Sequence, residues 1–286
     1  MSRIAYVNGR YVPHGEAQVH VEDRGYQFAD GVYEVCEIWN GCLVDETRHL
    51  DRLERSLREL AIRMPMSRAA LRIVLRETVR RNRVRDGIIY LQVTRGVARR
   101  DHVFPADDTP PALVVTAKGI SRDKGDRMAA EGVGVITVPD NRWARVDIKS
   151  IGLLPNAIAK QQAKDAGAKE AWFVDRDGYV TEGASTTAWI VTEEGALVTR
   201  PNGSDILPGV TRLTASDVAR SFGLEIVERK FSVQEAKAAR EAFMTAASTV
   251  VMPIVRIDGE AVADGRPGPV ATRLRAAFHA AAEKAR

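Results

Sequence analysis

Lys149 stands in the run Val146-Asp147-Ile148-Lys149-Ser150-Ile151-Gly152-Leu153-Leu154, which is mostly apolar and closes on Pro155-Asn156. A lysine drawn into apolar surroundings loses hydration, its pKa falls toward the amine form, and the amine is then a carbonyl nucleophile. The local sequence leaves a second reading open, a lysine at a strand end whose ammonium snorkels to water. Three other stretches carry residue types that suit amine chemistry. Tyr179-Val180-Thr181-Glu182-Gly183-Ala184-Ser185-Thr186-Thr187 offers a carboxylate and hydroxyls. Leu207-Pro208-Gly209-Val210-Thr211-Arg212 opens a helix, where free backbone N–H groups and the positive dipole end favour an anion. Between Gln92 and Val103, Arg100 and His102 lie two apart, so on an extended segment they point to the same side. With a tyrosine hydroxyl they would make a compact carboxylate site. Alone, each stretch also reads blandly, as a strand-end acid, a helix N-cap or a solvated loop.

In this order and together, the stretches resemble the class IV (fold type IV) aminotransferases. The resemblance runs from Tyr6-Val7-Asn8-Gly9 to Pro267-Gly268-Pro269-Val270, and within the family it is strongest to the bacterial D-amino-acid aminotransferases. It implies pyridoxal 5'-phosphate as cofactor, with Lys149 as the amine. It implies Glu182 as partner of the pyridine nitrogen, where a carboxylate keeps the ring protonated and able to accept electrons. Val210 and Thr211 would bind the phosphate, and Arg52, in His49-Leu50-Asp51-Arg52-Leu53, would supply a guanidinium. Ser185, Thr186 and Ala247 are the further cofactor contacts implied.

The chain departs from the family pattern twice. Ala184-Ser185-Thr186-Thr187 replaces a Ser/Thr-rich stretch ending in Asn, and Met244-Thr245-Ala246-Ala247-Ser248-Thr249 has alanines where hydroxyls are usual. Tyr33, in Asp30-Gly31-Val32-Tyr33-Glu34-Val35, joins Arg100 and His102 in a set that resembles the α-carboxylate trap of the D-specific enzymes. The implied reaction is ping-pong transamination between D-amino acids such as D-alanine and 2-oxo acids such as 2-oxoglutarate or pyruvate, with the Lys149 amine as general base on Cα–H. Two alternatives keep the cofactor: a branched-chain L-amino-acid aminotransferase and aminodeoxychorismate lyase. The family also implies a homodimer with the active site near the subunit interface.

The elements that must position these residues are partly readable. Asn8-Gly9 and Asn40-Gly41 signal tight hairpins, because both turn positions need positive φ. Residues 31–39 alternate and are rich in Val, Tyr and Ile, as a strand requires. Leu50, Leu53, Leu57 and Leu60 step by three or four and predict a helix from near Glu46. A second helix is expected over 67–83 and strands over 88–94 and 112–116. Residues 119–125 are polar and predict a linker. Beyond it we expect a strand over 132–138, a helix over 156–165 and a hairpin of 171–174 with 179–182. Helices over 211–222 and 269–284 follow. The expected organisation is an α+β fold of two domains, 1–118 and 126–286, joined by 119–125. The family places its cofactor in the cleft between two such domains.

A chain of 286 residues can bury a core of that size. Its net charge of +4 is nearly balanced, and the arginines of 76–85 mostly occupy the polar side of a helix whose other face is Leu71, Val74, Leu75 and Val79. That argues against a nucleic-acid partner. No apolar run approaches a bilayer span and no apolar leader is evident from Met1 onward, so a cytoplasmic protein is expected. Cys36 and Cys42 flank the Asn40-Gly41 turn and read as packing residues, without partners at metal spacing.

Overall fold

A computed structural model describes residues 3–285; Met1 and Ser2, which enter the expectation of a leaderless start, and Arg286 lie outside the described residues. The chain divides into two compact units. Of the described residues, the first holds 3–121, 148–152 and 283–285, and the second holds 122–147 and 153–282.

In chain order the first unit begins with β1 (Ile4–Val7), β2 (Arg10–Pro13), α1 (Arg24–Phe28), β3 (Gly31–Trp39) and β4 (Cys42–Val44). It continues with α2 (Glu46–Glu59), α3 (Arg68–Asn82), β5 (Gly87–Thr94) and β6 (Ala112–Gly119). The second contains α4 (Arg122–Glu131), β7 (Val133–Pro139), α5 (Leu154–Asp165), β8 (Glu170–Val174), β9 (Val180–Gly183), β10 (Thr187–Val191) and β11 (Leu197–Thr199). It ends with α6 (Val210–Ser221), β12 (Ile226–Glu228), α7 (Val233–Lys237), β13 (Glu241–Ala246), β14 (Val250–Ile257), β15 (Glu260–Ala261) and α8 (Pro269–Ala281). A last strand, β16 (Lys284–Ala285), returns to the first unit.

The first unit is a seven-stranded antiparallel sheet in the order β16-β4-β3-β5-β6-β1-β2. Both predicted hairpins form, with φ of 44° and 94° at Asn8-Gly9 and 51° and 80° at Asn40-Gly41. Leu50, Leu53 and Leu57 of α2 and Leu71, Leu75 and Val79 of α3 pack into one core with Val32, Cys36, Ile38, Ile89, Leu91 and Val115. Both cysteines are buried and free.

The second unit carries a nine-stranded sheet in the order β12-β11-β10-β13-β14-β7-β8-β9, with β15 paired to β14. Parallel pairs join β7 to β8 and β7 to β14. Glu241 ties α8 to this sheet. Its carboxylate accepts from Val270 N and Ala271 N, both at 2.9 Å, and so satisfies the helix N-terminus. A Cβ on Gly268 would meet that carboxylate carbon at 2.0 Å, so a larger residue there would push the capping carboxylate aside.

Two segments differ from the sequence reading. Residues 122–131 form α4, because Met128 and Ala129 find apolar partners in the second core that charge content alone does not reveal. The last helix stops at Ala281 because Glu283 is engaged elsewhere: its carboxylate accepts from Thr47 N and Thr47 Oγ1 at the start of α2, and Lys284–Ala285 pairs with β4.

Candidate active site

Lys149 is fixed by backbone pairing with β3. Tyr33 N donates to Lys149 O at 3.0 Å, Ile151 N donates to Gly31 O at 3.1 Å, and Val32 bridges Ser150. Gly31 permits this close approach, since a Cβ there would sit 2.7 Å from Val93 O and 3.1 Å from Ile151 Cδ1. The Lys149 backbone N–H also donates to Ser56 Oγ of α2 at 3.3 Å. Its side chain is half-buried, with Nζ 4.2 Å from the Tyr33 ring centroid. Among the described residues Nζ has no ion pair or hydrogen bond.

Arg52, one helix turn before Ser56, is buried and gripped along one edge. Its Nε donates to Glu34 Oε1 at 2.7 Å and its Nη2 to Glu34 Oε2 at 2.8 Å. Glu34 is completely buried on the inward face of β3 and also accepts from His49 Nδ1 at 2.8 Å. A carboxylate only accepts, so Nδ1 carries the proton of this bond. Burial works to raise the Glu34 pKa, yet the Arg52 charge and the bonds from Arg52 and His49 hold it far below the usual carboxylate range. Burial lowers the His49 pKa, against the pull of Glu34, so His49 stays neutral more readily than a free histidine. Burial also opposes the Arg52 charge, and Glu34 more than restores it, so the guanidinium stays protonated. Sequence reasoning named Arg52 and missed Glu34 and His49. The signal was present: Glu34 is a charge among Val32, Cys36 and Ile38 on one strand face.

The second unit assembles the other candidates. Glu182, nearly buried at the end of β9, accepts from Arg142 Nη1 at 2.5 Å and from Leu207 N at 3.1 Å. Arg142 is held in turn by Asp140, with bonds of 2.9 and 2.7 Å, and lies 4.3 Å over Phe173. Burial works to raise the Asp140 pKa, and the bonds from Arg142 and Thr181 bring it below its ordinary value. The bond from Leu207 carries the chain to Gly209, the N-cap of α6, which has no side-chain cap. A Cβ on Gly209 would meet Thr187 Oγ1 at 2.7 Å, so the helix start closes on the strand carrying Thr187. Val210 and Thr211 are buried in the first turn.

Thr186 Oγ1 is buried without a partner. The Ser185 hydroxyl instead donates to buried Glu170 at 2.7 Å, on an exposed residue. Ala247 lies in the β13–β14 turn, where Thr245 pairs with Thr187 of β10. An uncapped helix N-terminus, an unsatisfied buried hydroxyl and a carboxylate in contact with the preceding loop suit an anion joined to a ring with a basic nitrogen. The residues present therefore fit pyridoxal phosphate. Sequence reasoning did not identify Arg142 as a partner of Glu182, because the two are forty positions apart.

Of the three predicted trap residues, Arg100 and His102 come together. The Arg100 guanidinium lies 5.0 Å from the Phe28 ring centroid, and the His102 ring lies 5.5 Å from the same centroid. Both residues are exposed. Tyr33 instead stacks on Tyr90, with ring centroids 5.6 Å apart.

The fold is that of a known class of enzyme, as comparison with known proteins shows. The family model for amino-transferase class IV matches residues 31–257, and the chain belongs to that family. A D-alanine aminotransferase of Bacillus licheniformis is 41% identical over 95% of this chain and 94% of its own length. That of Listeria innocua is 40% identical over 95% of this chain and 93% of its own. Among solved structures, a branched-chain amino acid aminotransferase of T.th. with pyridoxamine 5'-phosphate has a TM-score of 0.89 at 27% identity, covering 98% of this chain and 93% of that one.

Proposed function

We propose that this chain catalyses pyridoxal-phosphate-dependent transamination between D-amino acids such as D-alanine and 2-oxo acids such as 2-oxoglutarate or pyruvate. The observation that carries it is the match to D-alanine aminotransferases over nearly the whole chain. Structural likeness to branched-chain enzymes reflects the shared fold and comes at lower identity.

Pyridoxal phosphate supplies, when bound, an aldehyde for an amine and a ring that withdraws electrons from the substrate Cα. Lys149 Nζ is the amine that holds it and the base that takes the Cα proton. Its position beside Tyr33 and its lack of an ion pair among the described residues support that role. Glu182 holds a proton on the pyridine nitrogen, and Arg142 and Leu207 N fix the direction of its carboxylate. Arg52, Val210 and Thr211 bind the phosphate. Thr186 Oγ1 has a hydrogen bond to spare for the cofactor, whereas Ser185 is occupied by Glu170 and Ala247 offers only backbone.

Arg100 and His102 bind the substrate carboxylate, and Tyr33, which stacks on Tyr90 rather than at their Phe28 ring, is the third member that the family resemblance assigns. Arg100→Ala should raise the KM for D-alanine roughly ten- to a hundredfold, the worth of a charge-assisted bond. An unchanged KM sinks the trap.

The functional test is an absorbance spectrum of the cofactor-loaded protein before and after D-alanine, with L-alanine and L-leucine in parallel. Loss of the visible band with D-alanine alone is the expected result. Loss only with the L-amino acids would make this an L-aminotransferase, and no visible band would remove the cofactor.

A cytoplasmic homodimer completes the proposal. No described helix is long and apolar enough to cross a membrane. In the first unit Val21, Tyr26, Val103 and Phe104 are 72, 75, 73 and 59% exposed, on two segments joined by the hydrogen bond from Ala98 N to Glu22 O. A second copy would cover them. Sedimentation equilibrium yielding a monomer would remove that part.

A further inference from the structure

The loop carrying Arg100 and His102 leaves β5 at Gly96 and has little core of its own, since residues 99–104 are all exposed. One buried side chain bonds its backbone. Arg24, at the start of α1 and 3% exposed, donates from Nη1 to Asp101 O at 2.7 Å and to Val103 O at 3.3 Å, the two carbonyls that flank His102. Its Nε is spoken for by Asp30 Oδ2 at 2.7 Å. Asp30 also receives Arg95, through Nε at 2.7 Å and Nη2 at 2.9 Å, and Arg95 reaches on to the carbonyls of Leu60 and Ala61. Burial works to raise the Asp30 pKa, and the two guanidiniums bring it below its ordinary value, so the bridge between them stays charged.

Rings complete the anchor. Phe28, one turn along from Arg24, has the Arg24 guanidinium 4.8 Å and the Arg100 guanidinium 5.0 Å from its centroid, and tilts against His102. Phe104, at the far end of the loop, lies 3.6 Å under Arg95 and 5.9 Å from Arg24. The start of α1 is itself fixed, because Arg24 N donates to Gly96 O at 2.9 Å and Asp23 Oδ2 accepts from Thr94 Oγ1 at 3.0 Å. Within one chain, a loop without its own core holds a geometry only as well as its few anchors do, and a second copy over Val103 and Phe104 would cover its outer side without replacing the bonds to its backbone. A guanidinium that bonds the backbone on both sides of one residue sets that residue's direction.

Resting on the carboxylate trap proposed above, we infer that Arg24 is a positioning residue for substrate recognition, setting Arg100 and His102 through the backbone of Asp101 and Val103 while Asp30 holds it in place. It touches neither substrate nor cofactor. It acts by making the loop geometry permanent before the carboxylate arrives, so its loss weakens binding of the amino acid and spares the proton transfer at Lys149.

The test is a double-mutant cycle in the cofactor-loaded enzyme, with Arg24→Met, Arg100→Ala and the pair, reading KM and kcat separately and cofactor content as a control. Arg24→Met should raise the KM for D-alanine roughly tenfold with kcat within about twofold, and should add little on top of Arg100→Ala. Arg24→Lys keeps the charge but lacks the planar fork, so it should fall between wild type and Arg24→Met, and it serves if Arg24→Met does not fold. If Arg100→Ala raises KM while both Arg24 variants match wild type, the positioning role is wrong and the trap stands. An Arg24 variant that loses kcat and cofactor together would mark Arg24 as merely structural. If Arg100→Ala leaves KM unmoved, the trap fails, and the role of Arg24 with it.

Discussion

Lys149→Ala should lower transamination by about four orders of magnitude or more, the upper range of what a positioned general base contributes, with the loss in kcat. The size follows from the surroundings. Nζ sits over the Tyr33 ring, and no other lysine shares the segment 148–152 that pairs with β3. Arg52, on the helix whose Ser56 bonds the Lys149 backbone, cannot substitute, since it is gripped by Glu34 and is a guanidinium that stays protonated. The fold should survive, because the segment is held by backbone bonds from Tyr33 and Ile151 that alanine keeps. Circular dichroism should therefore match wild type while turnover is lost, and added small primary amines should restore a fraction of it. Wild-type rates in the alanine variant would end the assignment.

How much of this was legible depends on whether the signal is local. Asn8-Gly9 and Asn40-Gly41 announce their hairpins because the turn needs positive φ at those two positions alone. Leu50, Leu53 and Leu57 announce α2 because one face of one helix carries them. Strands β10 to β14 were not read, and four of the five show why. β10 and β11 are buried at every position, and β13 and β14 at nearly every one, so their residues do not alternate and their apolar runs could equally be helical. Partnerships across distance were the other blind spot. Nothing near Arg52 says that a strand glutamate eighteen positions earlier fixes it, or that a histidine one turn away bonds that same glutamate. Likewise Ser185 and Thr186 look interchangeable as hydroxyls. Only the fold gives the first to Glu170 and leaves the second unpartnered. The α4 helix shows the converse, since the polar residues 119–125 read as a linker while 122–125 open a helix whose core contacts, Met128 and Ala129, come only in its last turns.

Glu34→Gln should be the most damaging substitution for stability, costing about 3 kcal/mol or more at neutral pH, because it removes the carboxylate that bonds two nitrogens of the buried Arg52 guanidinium. The pH dependence separates this account from a packing defect. Glu34 has a folded pKa depressed below its unfolded value, so its contribution is full above about pH 4.3 and is lost as pH falls toward the folded value. The gap between wild type and variant in urea unfolding should therefore be widest near neutrality and should narrow below about pH 4. His49 acts in the same sense at a higher pH. Its folded pKa is lowered, so the folded state disfavours the protonated ring, and wild-type stability should begin to fall as pH drops below about 6.5, before the Glu34 contribution is lost. Asp30 and Asp140, both depressed by arginine partners against their burial, then add to the acid limb. A cavity or steric defect at position 34 has no proton to lose, and a gap of constant size across that range would assign the damage to packing. The same variant bears on the phosphate site. If Glu34 is the negative charge that offsets Arg52, inorganic phosphate should stabilise Glu34→Gln more than wild type, since a bound dianion would replace the lost carboxylate charge. Equal stabilisation of the two would separate Arg52 from phosphate binding.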